Sequence, residues 1–106
     1  MQRRTTEAKV RLAVALMEDP HGRHWGYELA KRAGLRSGIV YPALTRLLED
    51  GLLTDGWEEV PTTGRRPRPP RRYYELTNKG RQDLGALATE ATTNPRWSGI
   101  VNPGLA

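Results

Sequence analysis

The chain contains no cysteine. Disulfides, thiolate metal sites and cysteine nucleophiles are excluded together. The longest apolar run, LAVALM over residues 12–17, falls far short of the ~20 residues a membrane-spanning helix requires. The opening MQRRTTEAK is polar and no signal-peptide apolar region follows it, so the expected setting is the cytoplasm. No nucleophile–base–orienter set is visible. Glu49, Asp50, Glu58 and Glu59 read as solvated charges on a helix end and a strand. Neither an enzyme nor a cofactor is expected. The two histidines, His21 and His24, have no cysteine near them and read as loop residues rather than as metal ligands. At 106 residues there is room for one small domain. A chain of this size buries only about two-thirds of its unfolded surface, so a second subunit is expected to help complete the core.

What the chain has is arginine. Lys+Arg is 17 against Asp+Glu 12, a net charge of +5 with a pI near 10.1, and 14 of those 17 cations are arginine. The guanidinium suits bidentate contacts to phosphate and guanine, which makes a polyanion the leading partner class.

The spacing predicts four helices. The first covers 5–18, with Thr5 or Thr6 as cap, Glu7 at the positive end of the dipole and Pro20 beyond its end. It is apolar nearly all round and is expected to be buried, part of it by a second subunit. After a loop at 21–25 that holds at most a very short strand, GYELAKRA over 26–33 forms a short helix. Gly34 supplies its left-handed end and Leu35 folds back onto it. Ser37 is expected to cap a third helix over 38–50, closed by Gly51 and Leu52. Val40, Leu44, Leu47 and Leu48 form its apolar stripe, opposite Gly38, Pro42, Thr45, Arg46 and Glu49. Two short helices joined by a tight glycine turn have the spacing of a helix-turn-helix.

Two strands are predicted over 52–60 and 71–76. Between them runs VPTTGRRPRPPRR, with five arginines (65, 66, 68, 71, 72), no acid, and prolines at 61, 67, 69 and 70 that exclude helix. A long basic hairpin tip after a helix-turn-helix is the layout of a winged helix. Thr77 caps a last helix over 77–92, in which Gly80 and Gly85 each weaken the helix by roughly 1 kcal/mol relative to alanine. Residues 1–92 make one domain; 93–106 are expected to be a flexible tail in which Trp97 serves as an anchor. Trp25 and Trp57 are expected to support the short strands and the wing base.

The blocks Gly26-Tyr27-Glu28-Leu29, Ser37-Gly38-Ile39-Val40-Tyr41-Pro42-Ala43-Leu44 and Asp50-Gly51-Leu52, with Arg72-Tyr73-Tyr74-Glu75-Leu76-Thr77 and Gly80, together resemble the PadR-type winged-helix transcriptional regulators over about residues 8–90. The short last helix resembles the small subgroup of that family. The resemblance implies a mainly helical α+β fold: a three-helix core, a wing of two or three strands and a C-terminal dimerisation helix. It also implies a homodimer that binds double-stranded operator DNA, usually as a repressor, with any small-molecule effector unknown. Ile39 departs from the pattern, where a small hydroxyl residue is common.

On that reading the DNA contacts are Tyr27, Arg36, Ser37, Gly38, Ile39, Tyr41, Thr45 and Arg46 from the helix-turn-helix, and Arg65, Arg66, Arg68, Arg71 and Arg72 from the wing. The dimer surface is expected at Val10, Val14, Leu84, Leu87, Ala88 and Ala91. Two alternatives stay open: an architectural or recombination accessory DNA binder of the same fold, and a winged helix used as a protein–protein module.

Overall fold

The computed structural model describes residues 6–59, 69–97 and 99. The order is α1 (Glu7–Leu16), β1 (His24–Trp25), α2 (Gly26–Ala33), α3 (Ser37–Glu49), β2 (Leu53–Trp57), β3 (Arg72–Leu76), α4 (Asn78–Thr93) and a 3-10 turn (Pro95–Trp97). The strands form one antiparallel sheet in the order β1-β3-β2. His24 pairs with Tyr74 and Trp25 with Tyr73 on one side of β3, while Leu53 opposite Leu76 and Trp57 opposite Arg72 mark the ends of the pairing on the other.

Local chemistry sets most boundaries. Thr6 caps α1 by accepting the Lys9 N–H at 3.2 Å. The helix stops at Leu16 rather than Glu18, because Glu18 and Asp19 already donate to Ala15 and Leu16, tightening the chain into turns before Pro20. Gly34 at φ 67° ends α2, and the Leu35 N–H reaches back to the Ala30 carbonyl at 2.9 Å. Gly51 at φ 74° ends α3 in the same way, with Leu52 donating to Leu47. One cap differs from expectation. Ser37 is the first helical residue of α3, and the cap position belongs to Arg36, whose side chain makes no capping bond. At α4, Thr77 Oγ1 accepts the Gly80 N–H at 2.9 Å and donates to the Gly51 carbonyl at 2.7 Å, fastening the helix start to the end of α3.

In the main core cluster Leu12 and Leu16 of α1 meet Leu29, Val40, Leu44 and Leu84, all fully buried. Gly80 brings α4 onto the chain at Leu52: a Cβ there would stand 1.9 Å from the Leu52 carbonyl oxygen. A second, smaller cluster corrects the reading of the tail. α4 runs on to Thr93, and the 3-10 turn seats Trp97 against Val10 and Ala91. The two small-to-medium side chains leave an apolar recess that an indole fills. The 93–97 part of the expected free tail is therefore packed on the domain.

His24 is a buried structural side chain. Its Nε2 lies 2.8 Å from the Asp19 carbonyl, and Arg32 Nη2 lies 2.9 Å from its Nδ1. A guanidinium can only donate, so Nδ1 accepts and Nε2 carries the proton toward Asp19. Arg32 also pairs with Glu18 at 3.1 Å, tying α2 to the end of α1.

Candidate nucleic-acid interface

The apolar stripe of α3 fixes which side faces out. With Val40, Leu44 and Leu47 buried, Ser37, Gly38, Ile39, Tyr41, Pro42, Thr45 and Arg46 stand exposed on one ridge. Arg36 lies exposed at its start. Ile39 is 48% and Tyr41 45% exposed, unusually open for side chains of that size. The Thr45 hydroxyl donates to the Tyr41 carbonyl at 3.0 Å, so it offers outward its methyl and lone pairs rather than a free proton.

The ridge has two unlike flanks. Toward the wing lies a cleft of about 250 Å³ lined by Gly26, Tyr27, Tyr41, Arg71, Arg72 and Tyr74. Arg71 Nη1 donates to the Tyr27 hydroxyl at 3.2 Å, and its guanidinium sits 5.3 Å from the Tyr27 ring centre. Its carbonyl accepts the Glu58 backbone N–H at 2.9 Å, and its own backbone N–H donates to the Glu58 carboxylate Oε1 at 3.1 Å. Arg72 is held differently: its Nε donates to Asp55 Oδ2 at 2.6 Å, its Nη2 pairs with the same oxygen, and its guanidinium lies 5.4 Å from the Tyr74 ring centre. Its charge is already matched by a carboxylate, although the sequence places it among the wing arginines expected to meet DNA. Burial pushes the Tyr74 hydroxyl above its ordinary pKa of 10.0; Arg72 opposes this, while Tyr41 and Asp55 add to it.

Toward α1 lies a groove of about 290 Å³, walled mainly by Ala8, Leu12, Ile39, Pro42, Ala43 and Leu47, with Asp50 as an acid at its edge and Lys9 and Arg46 as cations beside it. Among the described residues neither of those two cationic side chains has an ion-pair or hydrogen-bond partner. Lys9 was not among the expected contacts. Its place opposite Arg46 depends on how α1 crosses α3, and no local pattern carries that information.

The remaining expected residues divide plainly. Tyr27 is 51% exposed beside the cleft. Arg65, Arg66 and Arg68 lie outside the described residues. Trp57 is 64% exposed and does not support the wing base; Trp25 does, meeting Tyr73 edge-on at 5.8 Å. Of the expected dimer residues, Val10, Leu84 and Ala91 are buried within the chain itself, while Val14, Leu87 and Ala88 are half-buried and remain partly open on α1 and α4. No group of metal-ligating side chains occurs among the described residues, and no helix among them is long and apolar enough to cross a membrane.

Comparison with known proteins places this arrangement. Residues 12–86 match the sequence model described as the transcriptional regulator PadR-like family. Among solved structures the chain is similar to a PadR-like transcription factor from Bacteroides fragilis, at 36% identity and TM-score 0.55, over 80% of this chain and 84% of that one. It is similar to a PadR family transcription regulator from Clostridium difficile at 26% identity and TM-score 0.62, over 92% of this chain and 98% of that one. The circadian clock associated protein Pex from Anabaena shares the fold, at 20% identity and TM-score 0.64, over 93% of this chain and 84% of that one. No curated protein sequence matches.

Proposed function

The chain belongs to the PadR-like family of transcriptional regulators, and from that premise we propose that it works as a homodimeric, cytoplasmic repressor reading double-stranded DNA. It is a DNA-binding regulator rather than an enzyme. In this reading the exposed ridge of α3 enters the major groove. Ile39 meets a thymine methyl, and the first-turn N–H groups with Ser37 face a phosphate. The wing-side cleft grips the adjacent backbone through the Tyr27 and Tyr41 hydroxyls and Arg71. Lys9 and Arg46 meet phosphate on the other flank. Arg36 and the wing arginines 65, 66 and 68 extend the grip along the duplex, and an extended arginine segment suits a narrow minor groove. A second copy would be met through Val14, Leu87 and Ala88, on the same two helices that the buried Val10, Leu84 and Ala91 hold together.

The observation that carries this reading is the composition of the ridge. It is exposed, free of acid from Ser37 to Arg46, and bordered by tyrosines and arginines on the wing side and by Lys9 and Asp50 on the other. In vitro selection of bound duplexes from a random pool at near-physiological salt tests it. A two-fold symmetric motif with half-sites about one helical turn apart is expected. Retention without an enriched sequence would point to an architectural role, and no retention even at low salt would overturn the DNA reading.

A further inference from the structure

Gly26 is glycine because of space rather than backbone freedom. Gly34 and Gly51 are the described residues with positive φ, so the backbone at the start of α2 is one that any residue adopts. A Cβ built on Gly26, however, would stand 2.7 Å from Tyr41 Cε1, 3.1 Å from its hydroxyl oxygen and 3.2 Å from Cζ. These are the three atoms nearest that position, and all belong to one side chain. The Tyr41 hydroxyl has no hydrogen-bond partner among the described residues. Its ring edge lies against the bare backbone of Gly26, in the cleft it shares with Tyr27, Arg71, Arg72 and Tyr74.

We propose that Gly26 is a positioning residue for DNA recognition: its missing side chain lets the hydroxyl end of the Tyr41 ring lie close against the start of α2, holding the hydroxyl where the DNA backbone is met. The proposal rests on the DNA-binding reading above. The obstructing atoms lie at the far end of a rotatable side chain, with no backbone among them. Adding a methyl group thus displaces the tyrosine and leaves the fold in place. Any loss from Gly26→Ala must then pass through Tyr41, and without that ring the substitution has nothing to disturb.

The test is a double-mutant cycle on the full chain. Affinity is read with a labelled mixed-sequence duplex of about 25 base pairs at low salt, where sequence-independent phosphate contacts dominate, and each protein is also melted thermally. Gly26→Ala is expected to weaken binding about tenfold in the parent, the scale of one lost hydrogen bond to a charged oxygen. It should change binding less than about twofold in the Tyr41→Ala background. Its melting midpoint should stay close to the parent's. Equal losses in both backgrounds would overturn the proposal, as would no loss in the parent background. A collapse of the Gly26→Ala fold would overturn it as well, because the ring would then have been unable to move aside. No duplex binding by the parent itself would instead remove the DNA reading, and this inference with it.

Discussion

Gly80 and Gly26 are both too crowded for a side chain, with the nearest atom 1.9 Å and 2.7 Å from an added Cβ, and what crowds them differs in kind. Gly80 lies where α4 crosses the chain after α3, and its missing side chain faces the Leu52 backbone carbonyl. Gly26 lies where α2 meets α3, and its missing side chain faces the end of a tyrosine ring. One half is a scaffold in which glycine allows two backbones to touch. The other is a surface in which glycine leaves room for a side chain that points outward. The same residue type thus serves stability in one place and, in our reading, recognition in the other.

The largest expected effect breaks the scaffold half. Gly80→Ala should destabilise the domain by about 3 kcal/mol, the upper range for forcing atoms into a packed site, because a carbonyl cannot rotate away as a side chain can. Gly85→Ala, five residues on, is the control. Its Cβ would lie 3.3 Å from Met17 Cε, a flexible end, and the gain in helix propensity offsets the contact. Urea unfolding of the two variants should separate them widely. Similar midpoints would erase the distinction between backbone and side-chain crowding.

Next in size is the fastening of the scaffold. Thr77→Ala removes both the α4 cap and the bond to the Gly51 carbonyl, and should cost about 1–2 kcal/mol. Thr6→Ala removes only an exposed cap at 3.2 Å and should cost about 0.5 kcal/mol. An equal loss for the two would show that the Thr77–Gly51 contact adds nothing.

On the reading half the contrast lies between neighbouring arginines. Arg71 holds a tyrosine hydroxyl, whereas Arg72 is matched by Asp55. Arg71→Ala should weaken duplex binding about fivefold and lower the salt-dependence slope by about 0.9. Arg72→Ala should shift the slope less, since it removes a charge already neutralised within the chain. Equal slope changes from both titrations would show that DNA displaces Asp55 and recruits both cations alike.

How much of this was legible beforehand follows the range of each interaction. The Thr77 cap, the glycine ends at Gly34 and Gly51, and the Val40–Leu44–Leu47 stripe all depend on residues within a few positions. Each could be read directly from spacing. Trp57 looked like a wing support because aromatic residues in strands usually pack, but its place at the end of β2 opposite Arg72 leaves it in the open. Trp97 gained its seat from Val10, at the other end of the described chain. Arg72 is matched by Asp55 through strand register, and Lys9 reaches the groove through a helix crossing. None of these four carries a local signature.

The smallest expected effect sits on the strand that joins the two halves. Tyr74 packs in the core through its ring while its hydroxyl is raised above 10.0, mainly by burial. Between its ordinary and its raised value, the unfolded chain gives up the phenol proton while the folded chain keeps it. The unfolded state then binds fewer protons, so stability falls as pH rises. The contribution is intact below pH 10 and is lost as pH climbs through the folded value. Comparing unfolding at about pH 9 and pH 11, the parent should lose more stability than Tyr74→Phe, which has no phenol to ionise. Equal losses would mean that the hydroxyl titrates as it does in water, and that the wing-side cleft wets the ring it shares with the core.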